Sequence, residues 1–310
     1  MAAGAIRVDV TDIVPDSQHR GLLSLLPPRP RMFASLARFD RPIGWWLLFW
    51  PGAWGVALAG GAVERWVLII WLLLGSIAMR GAGCVYNDIV DRDLDASVAR
   101  TRDRPLASGA VSTKSAWIWL LALCLVGLLV LLQLHLSAAI VSLAAIAPVA
   151  AYPFMKRITW WPQAWLGLVF SWAALVGWTE TWGTLTLPGL LLYAGTIFWV
   201  VGYDTIYALQ DREDDALVGI RSSALALGRH VRAGVTICYA LALALWAAAF
   251  WQMRTDPLVL AALVPIAAHL GWQVATLRDG DGTGALDRFR SNRTAGLLMF
   301  LACVAVGTRI

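Results

Sequence analysis

The chain has 310 residues and a formal net charge of +5, with 59% hydrophobic against 15% charged residues. An ordinary soluble domain carries about a quarter charged residues, so a mean hydropathy of +0.66 excludes that class and points to a polytopic membrane protein. Cys84, Cys124, Cys238 and Cys303 and the four histidines stand far apart in the sequence, which leaves no zinc or dithiol pattern.

Residues 1–32 are polar and carry Pro15, Pro27, Pro28 and Pro30. Without an apolar core they read as a flexible cytoplasmic tail and not as a cleavable signal, and the membrane domain is expected over 33–310. Apolar stretches of bilayer-crossing length follow near 43–60, 66–87, 115–133, 137–153, 161–178, 186–207, 233–251, 258–276 and 294–308. The expected fold class is therefore all-α, with nine transmembrane helices of which the first and last are short. Connections alternate between tiny ones and long charged ones at 88–114, 208–232 and 277–293, with a short basic one at 154–160. With a cytoplasmic N-terminus, every Lys and Arg except Arg65, Arg254 and Arg309 falls on one side. That charge bias places the N-terminus and the long connections in the cytoplasm, in an inner-membrane protein. Trp45, Trp46, Trp50, Trp160, Trp161, Trp178 and Trp182 stand at segment ends, where indoles anchor at headgroup level.

Two acidic runs close two of these segments on the cytoplasmic side: Asn87 to Asp95 after the second, and Asp204 to Asp215 after the sixth. On a helix, Asn87, Asp91 and Asp95 stand at i, i+4 and i+8, on one face with about 6 Å between neighbours. Asp204, Asp211 and Asp215 do the same at i, i+7 and i+11. Carboxylates crowded beside a membrane repel one another and call for cations. Sparse columns of Asp and Asn suit Mg²⁺, which keeps several waters and is usually bridged by one or two carboxylates to substrate phosphates. The two runs also form a weak repeat, each followed nine or ten residues on by an arginine, Asp95 by Arg104 and Asp211 by Arg221. Two helical units facing one cavity would produce that pattern.

Basic residues surround both runs. Arg80 lies two helical turns before Asn87, deep in an apolar segment where an arginine is unfavourable unless it faces a polar cavity. Arg100, Arg102 and Arg104 follow the first run, Lys156 and Arg157 end the fourth segment, and Arg221 follows the second run. Guanidinium forks match phosphate oxygens and a lysine supplies a point charge, so the pattern reads as a site for a metal-bridged lipid diphosphate.

The run Asn87-Asp88-x-x-Asp91-x-x-x-Asp95, the following Arg100-Thr101-x-x-Arg104-Pro105-Leu106-x-Ser108-Gly109, the run Tyr203-Asp204-Thr205-Ile206-Tyr207-Ala208-x-Gln210-Asp211-x-x-Asp214-Asp215, and Arg41-Pro42-Ile43-Gly44 closely resemble known motifs. They are those of the UbiA-type intramembrane aromatic prenyltransferases, and the likeness runs from about residue 33 to the C-terminus. It implies a nine-helix bundle around a central cavity, a cytoplasmic cap made by the loops after helices 2 and 6, and a lateral opening for a long isoprenoid. The implied reaction moves a polyprenyl group from its diphosphate to the ring carbon ortho to the hydroxyl of 4-hydroxybenzoate, in ubiquinone synthesis, with Mg²⁺ as cofactor. By motif, Asn87, Asp88, Asp91, Asp95, Asp211 and Asp215 are the expected metal-holding set. Arg80, Lys156, Asp204 and Tyr207 are the expected catalytic groups, with Asp204 assisting the phenol or the loss of the ring proton. Arg41, Arg104, Tyr152, Arg157 and Arg221 are expected on the substrates, Arg41 at the acid's carboxylate and Tyr152, Tyr203 and Tyr207 as pocket walls. The implied partners are the two substrates and the lipid bilayer; nothing in the chain points to nucleic acid or to a protein partner.

Two rival classes are weaker. A divalent-cation transporter predicts acids near mid-helix, whereas these sit at helix ends among arginines that repel a cation. Membrane phosphotransferases that use CDP-alcohols also carry Asp columns, but their run is expected to begin with Asp-Gly and to contain Ala-Arg, which neither run does. Within the resembled family, acceptors such as homogentisate, dihydroxynaphthoate, haem or chlorophyllide precursors compete; Asp204-Thr205-Ile206-Tyr207-Ala208 favours 4-hydroxybenzoate.

Overall fold

The computed structural model describes residues 22–97, 101–210, 212, 216–217, 219–278 and 282–308, and every regular element among them is helical. In lipid each backbone N–H and C=O needs a partner from its own segment, which a long helix supplies. The chain runs through α1 (Pro28–Leu36), α2 (Ile43–Leu58), α3 (Trp66–Val90), α4 (Arg92–Ser97), α5 (Thr113–Leu131), α6 (Leu136–Ala144) and α7 (Ile146–Ile158). It continues through α8 (Pro162–Trp182), α9 (Leu187–Tyr207), α10 (Ser223–Leu227), α11 (Val231–Met253), α12 (Leu258–Ala261), α13 (Val264–Thr276) and α14 (Gly282–Gly307). Among the described residues, six stretches are long and apolar enough to cross a membrane: Trp66–Val90, Thr113–Leu131, Leu136–Ile158, Leu187–Tyr207, Ser223–Met253 and Leu258–Thr276. At 25 residues and a rise of 1.5 Å each, α3 spans about 37 Å, more than the roughly 30 Å of hydrocarbon.

Several expected boundaries move. The 137–153 stretch breaks at Ala145 between α6 and α7, because Pro148 has no N–H for the carbonyl four residues before it. The 258–276 stretch is likewise split, and Pro265 sits in the first turn of α13. Residues 282–293 do not form a charged connection: α14 begins at Gly282 and carries Arg288, Arg290 and Arg293 in its first half. A boundary expected at residue 33 falls inside α1, which starts at Pro28; residues 1–21 of the expected tail lie outside the described residues.

Packing relies on small residues where helices approach. A Cβ on Gly177 of α8 would strike the carbonyl oxygen of Gly52 in α2, so these helices meet backbone to backbone, as small residues allow in lipid. α9 lies between α8 and α11, and α14 covers α2. At the centre Trp54, Trp178, Trp199 and Trp246 are fully buried, with the Trp54 ring 5.0 Å from Trp199 and 5.6 Å from Trp246. Trp178 and Trp50 are thus core residues and not the interfacial anchors their positions suggest, because a wide bundle needs large rings to fill it. Trp160, Trp161 and Trp182 stay partly exposed at helix ends.

The two ends of the bundle differ in chemistry. At one end the buried Glu180 carboxylate accepts the backbone N–H of His135 at 2.7 Å, with His135 Nδ1 at 2.6 Å and Arg65 Nη1 at 3.5 Å. One acid thereby ties the turns before α3 and α6 to the end of α8. The aspartates gather at the opposite end of α3.

Candidate active site

The first acidic run crosses the α3–α4 junction without losing its register. Asp91 interrupts the helix, yet its N–H still reaches Asn87 O at 2.9 Å and the Asp95 N–H reaches Asp91 O at 2.8 Å. The carboxylates of Asp88, Asp91 and Asp95 are buried, and Asp91 is fully so. Each is met by cations from other parts of the chain. Asp91 Oδ1 accepts Arg157 Nη2 at 2.9 Å and Asp91 Oδ2 accepts Lys156 Nζ, both from the end of α7. Arg104 Nη1 lies 2.7 Å from Asp95 Oδ2 and 3.5 Å from Asp88 Oδ1. Burial pushes the Asp95 carboxyl above the usual carboxylate range, against the pull of Arg104.

Asp88 has a further partner that the motif does not announce. Arg38 Nη2, from the turn between α1 and α2, lies 2.8 and 2.9 Å from the two Asp88 oxygens. Burial works to lower the Arg38 pKa, but the Asp88 charge overturns this and holds the guanidinium above its ordinary range. Around Asp88, Asp91 and Asp95 four cations therefore gather, Arg38, Arg104, Lys156 and Arg157. The cluster is net positive, which suits a polyanion.

Deeper in the bundle, Arg80 lies with its Cζ 5.5 Å from the Phe170 ring centroid, against Gly44 of α2, where an added Cβ would come within 2.8 Å of its Nε. That buried Nε has no hydrogen-bond partner among the described residues. A buried guanidinium N–H without a partner is unfavourable in an apolar setting. Asp204 stands one turn before the end of α9, Tyr152 of α7 and Tyr207 of α9 pack against the same buried core, and α3 touches α7. Tyr203 is buried with its hydroxyl unpartnered among the described residues, packed on Trp199 at 4.9 Å and Phe289 at 5.8 Å. The Tyr207 ring lies 4.4 Å from Phe289.

The C-terminal side of α9 is held by a buried chain of hydrogen bonds. Thr205 Oγ1 and Ser223 Oγ lie 2.7 Å apart, and Gln163 Oε1 accepts the Ser223 N–H at 2.9 Å. The second acidic run lies between these anchors, but Asp211 and Asp215 fall outside the described residues. Arg221 is turned to α7: it donates to Ile158 O at 2.8 Å and stacks 5.5 Å above Trp160. Arg41 lies beside its neighbour Asp40, with Nε 3.4 Å from Oδ2. Arg38 was not singled out by sequence pattern; its place two residues before Asp40-Arg41 is the only signal.

The donor set fits Mg²⁺. Its ligands would be hard oxygens from Asn87, Asp91 and Asp95, which follow one another a turn apart along one column. That is the arrangement of a cation that one or two carboxylates bridge to phosphate. A bundle of long apolar helices with buried, cation-paired aspartates at one end defines a helical membrane protein.

Comparison with known proteins gives the family. A model of the UbiA prenyltransferase family matches residues 48–304. The mitochondrial 4-hydroxybenzoate polyprenyltransferase of Drosophila pseudoobscura pseudoobscura is 41% identical over 296 residues, covering 94% of this chain and 74% of that protein. The 4-hydroxybenzoate octaprenyltransferase of Pseudomonas aeruginosa (strain UCBPP-PA14) is 38% identical over 283 residues, covering 91% of this chain and 96% of that protein. The fold is that of a UbiA homolog from Archaeoglobus fulgidus bound to GPP and Mg²⁺, with a TM-score of 0.65 at 18% identity over 90% of this chain and 100% of that one. The chain belongs to the UbiA prenyltransferase family.

Proposed function

We propose that the chain transfers a polyprenyl group from polyprenyl diphosphate to the carbon ortho to the hydroxyl of 4-hydroxybenzoate, releasing diphosphate, in ubiquinone synthesis. The observation that carries this is the net-positive cluster on Asp88, Asp91 and Asp95 with the unsatisfied Arg80 one layer deeper, in a chain similar over nearly its full length to proteins of that name. The proposal includes nine membrane crossings, a cap formed by the connections after α3 and α9, and an inner membrane with both acidic runs cytoplasmic. The charge bias of the connections supports that orientation.

Bound Mg²⁺, held by Asn87, Asp91 and Asp95 with Asp211 and Asp215, would stabilise the leaving diphosphate as its charge grows. The residues of the chain do the rest. Lys156, Arg157 and Arg104 turn from their aspartates toward the phosphate oxygens, with Arg221 entering from the second connection, while Arg80 meets the phosphate from below; fixed cations in a water-poor site stabilise developing charge far better than in water. The C1–O bond breaks with its electron pair staying on diphosphate. The aromatic walls, Tyr152, Tyr203 and Tyr207 among them, keep water from the allylic cation and present ring faces to it. Arg41 holds the acceptor's carboxylate so that the ortho carbon faces C1. That carbon forms the new C–C bond with a pair of ring electrons, and the ring proton passes to Asp204, restoring aromaticity.

The test uses membranes containing the protein, Mg²⁺, a long prenyl diphosphate and labelled 4-hydroxybenzoate. Prenylated acid that disappears on adding a chelator is expected; product from another aromatic acceptor but none from this acid would overturn the assignment. An Asp204→Asn variant with unchanged turnover would remove Asp204 from the proton step.

A further inference from the structure

We infer that Arg38 is a positioning residue that takes Asp88 out of the metal-holding set and fastens the Arg41 turn to the first aspartate column. The inference rests on the proposed function for its meaning and on geometry for its content. The three aspartates are not equivalent. Asp91 and Asp95 meet their cations through single contacts from long, partly exposed side chains: Lys156 is 24% exposed, Arg157 49% and Arg104 21%. Such side chains swing from carboxylate to phosphate at little cost. Arg38 is 14% exposed, grips both Asp88 oxygens, and donates its other terminal nitrogen, Nη1, to Ser35 O at 3.1 Å and Leu36 O at 3.4 Å. A guanidinium held at both ends does not swing, so it keeps both Asp88 oxygens engaged, with Arg104 Nη1 also 3.5 Å from Oδ1.

The backbone says the same. Arg38 is the one non-glycine residue with positive φ among the described residues, at 57°, a conformation unfavourable for an L residue and retained where surroundings impose it, often beside a functional site. The turn is set around it: Phe39 N–H reaches Ala34 O at 2.9 Å and Arg41 N–H reaches Arg38 O at 3.0 Å, while the Phe39 ring packs on Trp45 and Trp119 at 6.0 and 6.5 Å. The Arg38–Asp88 contact, in which Nη2 alone bridges both oxygens, thus ties the Arg41 turn at the mouth of α2 to the column of Asp91 and Asp95. Through it the acceptor end and the diphosphate end of the site share one rigid strut.

Purified full-length protein, with Arg38→Lys, Asp88→Asn and Asp91→Asn variants, tests this by three readouts. Asp88→Asn and Arg38→Lys are expected to speed hydrogen exchange over residues 38–44 and to raise the KM for 4-hydroxybenzoate about tenfold while the KM for prenyl diphosphate moves less than about twofold. Mn²⁺ binding in the presence of pyrophosphate, followed by electron paramagnetic resonance, is expected to weaken about tenfold or more in Asp91→Asn and to hold in Asp88→Asn. Loss of Mn²⁺ binding in Asp88→Asn equal to that in Asp91→Asn makes Asp88 a ligand and overturns the inference, as does unchanged exchange over 38–44. Should the wild-type protein prenylate a different acceptor, the proposed substrate falls, while the exchange and Mn²⁺ readouts still decide the role of Arg38.

Discussion

Arg104 Nη1 lies 2.7 Å from Asp95 Oδ2, so the segment that leaves α4 is folded back on the column it comes from. Thr101 closes the same loop, donating its hydroxyl to Asp95 O at 2.9 Å while its carbonyl accepts the Arg104 N–H at 3.0 Å. The arginine thereby neutralises a buried acid of the column from which its own segment departs.

Arg104→Ala is expected to shift the pH dependence of turnover. Burial already pushes the Asp95 carboxyl up and Arg104 holds it down, so without the arginine it rises further. A carboxylate needed in ionised form is lost as pH falls through its pKa, and the acid limb of the pH–rate profile therefore moves to higher pH than in the wild type. An unmoved acid limb would show that Asp95 ionisation does not limit the rate.

Neutralising Asp91 with Asp211 is expected to abolish prenyl transfer, and Lys156→Ala to lower kcat by on the order of a hundredfold, the size seen when one fixed donor to developing charge is removed. Lys156 and Arg157 share one fully buried carboxylate, so Asp91→Asn also frees both cations. Turnover and KM for the prenyl diphosphate, measured side by side, separate the two roles: retained transfer in the double aspartate variant would refute the metal-bridged site.

Two glycines give a stability comparison. A Cβ on Gly296 of α14 would strike the Trp50 ring, whereas one on Gly271 of α13 meets nothing within 4 Å. Gly296→Ala is expected to destabilise by about 1–3 kcal/mol through overpacking, and Gly271→Ala to be neutral or slightly stabilising through reduced chain freedom. Thermal unfolding in detergent checks the order.

Glu180→Ala acts at the end of the bundle away from the aspartates. It leaves Arg65 and the His135 N–H without the acid that joins them. Lower thermal stability is expected, at about 2–4 °C per kcal/mol lost, with both substrate KM values unchanged because distant sites without shared partners act independently. A changed KM would reveal coupling between the two ends.

Several elements were legible along the chain because lipid leaves few choices. A run of about twenty apolar residues must be a helix, and α3, α5, α9 and α11 lie where their apolar runs do. The start of α14 was not legible, since Arg288, Arg290 and Arg293 lower its hydropathy although the helix continues through them. Nor was the role of the tryptophans: Trp178 stands at a segment end yet is buried, because burial is decided by neighbouring helices and not by position along one.

By itself the sequence determined the helical membrane class and the family whose acidic and basic motifs it carries, both of which depend on composition and near-neighbour spacing. Tertiary structure alone decided which cation meets which acid: Arg38 with Asp88 across 50 residues, Lys156 with Asp91 across 65. Such pairs are set by helix packing, which brings together side chains whose separation in sequence carries no periodic trace.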